Sequence, residues 1–283
     1  MVAAFAIVAQ FGFVPFIDVP LDFWGIAPVV AVNKMPVLER KHDRAVVLIH
    51  GLKPQVFQPE KAFETEVHSF QKPRAELVKA LQDEFDIFGV SYAQVGPVDW
   101  VASSPKLAEG IKALRFAGYK QIILVGHSAG GIISRRFVEL YPDAGVTKVI
   151  AVASPHLGSG WAKLPQQVIP KTQAYFINSL LPDVRIDYHR ASEAKLSDSV
   201  QFCCVVCKLP RWDSDTTVGV DSQWPRDLQK LGIPATLVNC NHFDAMKHEK
   251  AVRTIVELAN GKILRWTPVE VEKAQRIIFG PAR

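Results

Sequence analysis

Gln121-Ile122-Ile123-Leu124-Val125-Gly126-His127-Ser128-Ala129-Gly130-Gly131 is the stretch on which the reading of this chain turns. After Gln121, the residues Ile122 to Val125 are a short apolar run of β-rich character, which predicts a strand over 121–125 buried on both faces. After Gly131 the sequence becomes amphipathic at helical spacing up to Leu140, and Pro142 stops it. Between strand and helix lies the pattern G-x-S-x-G. A chain that reverses this sharply has no space for side chains beside the bend, which glycines at 126 and 130 satisfy. Ser128 at the tip is expected in a strained backbone conformation, at a helix N-terminus whose dipole favours negative charge. The pattern alone occurs by chance; set between a buried strand and a helix, it is a nucleophile elbow.

Working outward, apolar runs alternate with helical stretches, the pattern of a mostly parallel sheet with helices on both faces. Upstream, Ala45-Val46-Val47-Leu48-Ile49 is a buried strand ending at His50-Gly51. Pro73 opens a helical stretch with Leu77, Leu81 and Phe85 on one face, and Asp86 to Tyr92 reads as a strand. Ser104-Pro105 begins a helix through Phe116, closed by Gly118. Downstream, Thr147–Ala153, Val200–Val206 and Ala235–Val238 read as strands, and Met246 to Leu258 as a helix closed by Asn260-Gly261. Residues 41–261 are thus one α/β unit. Residues 1–40 form an N-terminal extension that could add an antiparallel edge, and 262–283 a C-terminal tail. Residues 157–199 carry Trp161, Leu164, Tyr175, Phe176, Leu180 and Leu181, which suit either a small lid or core packing.

A serine hydroxyl is a weak nucleophile without a base, and the base needs a group to orient it. His242, directly after the last strand, is the chosen base. His248 is expected a turn or more into the following helix, His127 to point elsewhere on the elbow, and His156 to lie upstream of any acid. Asp213, Asp215 and Asp221 follow the strand ending at Val206; Asp215 is preferred, with Asp213 the alternative. A tetrahedral oxyanion needs two N–H donors. Ala129 supplies one, and the loop at His50-Gly51-Leu52 the other, assigned to Leu52.

These residues, with Ser154-Pro155-His156-Leu157-Gly158-Ser159, Asp215-Thr216-Thr217-Val218 and Asn241-His242-Phe243, resemble the α/β-hydrolase superfamily, particularly its lipase- and esterase-like members. The resemblance spans about residues 45 to 260 in the expected order. It implies an α/β-hydrolase fold and hydrolysis of carboxylic esters, of small-molecule or lipid type, without a metal or organic cofactor. A thioesterase or amidase with the same residues, and a binding protein that kept only the fold, are the alternatives. The N-terminal forty residues and the tail from Lys262 match no pattern of the family.

Composition sets the outer bounds. The chain has 283 residues, 48% hydrophobic and 22% charged, enough for one large core and unlike a disordered chain. Its net charge of +5 comes from scattered basic residues; the one tight pair, Arg135-Arg136, falls in a helix, and a solvated surface accounts for them better than nucleic acid. Cys204 and Cys207 lie three apart in a strand and should face opposite ways, so buried apolar packing is preferred over a redox or metal pair. The apolar start from Met1 to Ile17 lacks a preceding Lys or Arg and is broken by Gly12 and Pro15. Cytoplasmic location is favoured, with secretion or a periplasmic place if that run is a truncated signal; membrane association and oligomeric state stay open.

Overall fold

In the computed structural model, residues 24–28, 40–65, 67–163, 170–191 and 195–280 are described. Seven strands form one sheet: β1 (Trp24–Pro28), β2 (Arg44–Ile49), β3 (Asp86–Tyr92), β4 (Gln121–His127), β5 (Lys148–Val152), β6 (Gln201–Lys208) and β7 (Ala235–Asn239). Their order is β1-β3-β2-β4-β5-β6-β7. All pairs are parallel except β1 with β3, so the expected antiparallel edge exists, and residues 24–28 supply it. The apolar residues at 1–17 lie outside the described residues.

The helices are α1 (Glu76–Leu81), α2 (Val98–Ala102), α3 (Pro105–Phe116), α4 (Ala129–Leu140), α5 (Ala174–Asn178), α6 (Pro182–Ala191), α7 (Val220–Gln223), α8 (Arg226–Lys230), α9 (Glu249–Asn260) and α10 (Pro268–Phe279). The continuous apolar strands are buried on both faces, as parallel strands between helix layers must be. On one face Ala45, Val47, Ile49, Leu124 and Cys204 pack with Leu107 and Ile111 of α3, Ile133 and Phe137 of α4, and Ile278 of α10. On the other, Val46, Leu48, Val125, Cys203 and Cys207 pack with Leu77 and Leu81 of α1 and Ile255 of α9. Cys204 and Cys207 therefore do face opposite ways, each a buried free thiol.

Several boundaries shift. The helix anticipated from Pro73 starts at Glu76, because residues 72–75 close a turn in which the Ala75 N–H bonds to Lys72 O at 2.9 Å. The helix anticipated from Met246 starts at Glu249, and His248 is its N-cap rather than an interior residue. The tail beyond Lys262 carries α10, opened by a reciprocal cap between Thr267 and Glu270, and buries Val271, Ala274 and Ile278. Within 157–199, Phe176 and Leu180 are buried in the core and Leu181 packs against it, while Trp161 and Tyr175 are partly exposed; Leu164 lies outside the described residues.

One charge expectation is corrected. Arg135 and Arg136 are not on a solvated surface but are 6% and 4% exposed. α4 is buried along nearly its whole length, so charges on it need partners. Arg135 pairs with Glu139 at 2.8 Å and Asp227 at 2.5 Å, and Arg136 with Glu139 at 2.6 Å. Arg185 of α6, fully buried, pairs with Asp99 of α2 at 2.7 Å and ties residues of the 157–199 region to this helix layer.

Candidate active site

After β2 the chain crosses to β3 on one side and then to β4 on the other, so loops leaving β2 and β4 diverge. Such a switch point opens a crevice at the carboxyl ends of the strands. Register brings the crevice walls together: Ile49 pairs with Gly126, and His127 with Val152.

Ser128 has φ +55° and ψ −126°, a conformation a non-glycine residue rarely adopts. Its N–H donates to Val152 O at 2.9 Å, which anchors the bend to β5. The flanking glycines are required by contact. A Cβ at Gly130 would lie 2.1 Å from Ile49 O, and one at Gly126 2.3 Å from Gly130 O. On the opposite wall, a Cβ at Gly51 would lie 2.6 Å from Ser128 Cβ, so the loop after β2 rests directly against the serine.

Ser128, His242 and Asp215 come together. Ser128 Oγ is 3.0 Å from His242 Nε2, and His242 Nδ1 is 2.7 Å from Asp215 Oδ2. All three are buried, Asp215 completely. With the Nδ1 proton donated to the carboxylate, Nε2 is free to accept the serine proton. Asp215 is itself fixed: Oδ1 accepts the N–H groups of Thr217 at 2.9 Å and Val218 at 2.7 Å, while its backbone carbonyl accepts the His242 N–H at 2.8 Å. Thr216, at φ +88°, makes this tight turn. Asp213 instead points outward to Lys208 at 3.5 Å, and the Asp221 carboxylate accepts the N–H of Ser222.

The other histidines take structural parts. His127 donates from Nε2 to the backbone carbonyl of His242 at 3.0 Å, bracing the loop that carries the imidazole. Burial, reinforced by the neighbouring His242, pushes its pKa down to about 3, so it stays neutral. His156 is fully buried, its pKa pushed well below the ordinary value by burial, and its carbonyl accepts from His189 at 2.8 Å. Neither role carried a sequence signal.

Leu52 and Ala129 occupy the two loop positions assigned to oxyanion donors. Ala129 is the first residue of α4, where an N–H has no intrahelical acceptor. Among the described residues neither N–H has a backbone acceptor. Two buried glutamines that sequence reasoning missed, Gln94 and Gln173, bond to the backbone on either side of Leu52. Among the described residues no cluster of three His, Cys, Asp or Glu side chains could hold a metal, and no helix is long and apolar enough to cross a membrane.

An open, mostly parallel sheet with a strained serine bend at its switch point defines a class. The chain belongs to the alpha/beta hydrolase fold family, whose model matches residues 44–226. Among solved structures, lipase BlEst2 of Bacillus licheniformis in mature form is similar, with a TM-score of 0.59 and 14% identity over 84% of this chain and 98% of that one. Phospholipase PlaB of Legionella pneumophila has a TM-score of 0.59 and 13% identity, covering 83% of this chain and 63% of that one. The metagenomic carboxyl esterase MGS0156 has a TM-score of 0.52 and 18% identity, covering 87% and 78%. A search of curated protein sequences finds no match.

Proposed function

We propose that this chain is a serine hydrolase that cleaves carboxylic esters, of small-molecule or lipid type, through Ser128, His242 and Asp215. The observation that carries the reading is one continuous chain of contacts: Ser128 Oγ to His242 Nε2 at 3.0 Å, and His242 Nδ1 to Asp215 Oδ2 at 2.7 Å. A serine in a strained bend, touching a base that is oriented by a buried carboxylate, is the arrangement acyl transfer requires. The lipase, phospholipase and carboxyl esterase among the similar structures favour an ester substrate.

His242 takes the hydroxyl proton as Ser128 Oγ attacks the ester carbonyl. The oxyanion accepts hydrogen bonds from Leu52 and Ala129 N–H, near the positive end of α4. Collapse expels the alcohol, which takes the proton from His242, and leaves an acyl-serine. Water, deprotonated by His242, then attacks the acyl carbon; the acid departs and the proton returns to Ser128. Side chains, backbone and water suffice for the cycle.

The test is a fluorophosphonate probe, with short p-nitrophenyl esters assayed in parallel. Wild type is expected to label and to turn over, and folded Ser128→Ala to do neither. A wild type that resists the probe, or a Ser128→Ala variant with undiminished turnover, overturns the reading. Matched thioester and amide substrates establish which leaving group is preferred.

A further inference from the structure

Resting on that reading of Ser128, we propose that Gln94, braced by Gln173, is a positioning residue that holds the Gly51–Leu52 peptide plane with its N–H toward the oxyanion. Gln94 Nε2 donates to Gly51 O at 2.7 Å, and its Oε1 accepts the Lys53 N–H at 2.9 Å. Gln173 Nε2 donates to Gln94 Oε1 at 3.1 Å and to Lys53 O at 3.0 Å, while its Oε1 accepts the Gln55 N–H at 2.7 Å. His50 Nδ1 adds a second donor to Gly51 O at 2.8 Å. Both glutamines are buried, Gln173 completely, and the Gln94 backbone N–H is tied to Ala62 O at 2.8 Å.

The physical consequence follows from peptide geometry. Gly51 O and Leu52 N–H belong to one planar trans unit and point in opposite directions. Donors fixed on the oxygen therefore aim the N–H the other way. Without them, glycine at 51 leaves that plane free to rotate, and a flipped plane would present a carbonyl oxygen to a developing oxyanion. Contact with the serine makes the plane consequential, since Gly51 is pressed against Ser128. The flanking groups Gly51 O, Lys53 N, Lys53 O and Gln55 N are all held by the two side chains, while Leu52 N–H is left for the substrate. Gln173 comes from the 157–199 region, which thus braces the site from within.

The experiment compares full-length wild type with Gln94→Met, Gln94→Glu and Gln173→Met. Near-isosteric methionine removes donor and acceptor; glutamate keeps the acceptor for Lys53 but sets a carboxylate oxygen against Gly51 O. Readouts are kcat and KM on a short p-nitrophenyl ester, the affinity of an alkyl boronic acid that mimics the tetrahedral oxyanion, and Tm. Loss of one oxyanion donor costs about 100- to 1,000-fold in kcat, so misaiming it is expected to cost Gln94→Met about 10- to 100-fold and Gln94→Glu more. KM should stay within about threefold, and boronate affinity should fall by the factor lost from kcat/KM. A folded Gln94→Met with kcat within about threefold of wild type, or with lost kcat but unchanged boronate affinity, overturns the clamp. Should Gln94→Met not fold, Gln173→Met decides: parallel loss of kcat and boronate affinity supports the clamp, and unchanged values overturn it. Labelling of wild type by fluorophosphonate separates the two readings. A wild type that does not label removes the nucleophile and the clamp with it, whereas a labelling wild type beside a fully active Gln94→Met removes the clamp alone.

Discussion

Replacing Asp215 by asparagine should switch off the proposed base while leaving the fold intact, because the site dictates which way the new amide faces. Asp215 Oδ1 accepts two backbone N–H groups, from Thr217 at 2.9 Å and Val218 at 2.7 Å. An amide NH₂ placed there would oppose two donors, so the asparagine oxygen takes that position and the NH₂ takes the place of Oδ2. Oδ2 is the atom that accepts from His242 Nδ1, at 2.7 Å. The imidazole must then accept at Nδ1 and carry its proton on Nε2, facing the Ser128 hydroxyl with a donor in place of an acceptor. In the chymotrypsin-type triad the same wrong tautomer costs about 10⁴ in kcat, or about 5.4 kcal/mol of barrier. Loss of that order is expected for Asp215→Asn on a short p-nitrophenyl ester, with KM nearly constant. Asp215→Ala differs in kind: it orphans the buried Val218 N–H, at about 1–3 kcal/mol, and the half-buried Thr217 N–H, and lowers Tm. Asp215→Asn retaining more than about a tenth of wild-type kcat, with wild-type Tm, would refute the argument.

Two further predictions concern stability. Gly130→Ala places a Cβ 2.1 Å from Ile49 O, a clash between backbones that no rotamer relieves; thermal denaturation should show a loss of several kcal/mol or more, beyond the usual range for point mutants of about 0.5–3 kcal/mol, and a Tm within a degree or two of wild type would contradict the packing. Acid should weaken the fold through His127, whose pKa is pushed down to about 3, and His156, which is pushed well below the ordinary value. The unfolded chain binds these protons below about pH 6.5 and the folded one does not, so stability is full above that pH and declines as pH falls, by about 2.7 kcal/mol per unit for the pair. Urea midpoints at pH 7 and pH 5, compared between wild type and His156→Met, check it: the variant should show the shallower decline.

Much of the fold was legible because its signals are local. The runs 45–49 and 122–125 are apolar at every position, which only a strand covered on both faces tolerates, and both are buried in strands. Cys204 and Cys207 obeyed the alternation of a strand. Helix starts were less legible: the turn before Glu76 and the cap at His248 depend on hydrogen bonds that periodicity does not register. The burial of Arg135 and Arg136 is not legible locally, because whether a helix face meets solvent or α2, α6 and α8 is not written in the helix itself.

By itself the sequence determined the strand-to-helix bend at Ser128, since close packing of backbone against backbone demands glycine at fixed offsets in one short stretch. It also determined the order of serine, acid and histidine along the chain. Only the tertiary structure decided which carboxylate meets His242, turning Asp215 inward and Asp213 outward within a single loop. It alone brought Gln173 to Gln94, 79 positions away, and both to the loop beside Ser128. Hydrogen bonds are short and directional, so they follow from where strand ends and loops converge in space, and separation along the chain carries no record of that convergence.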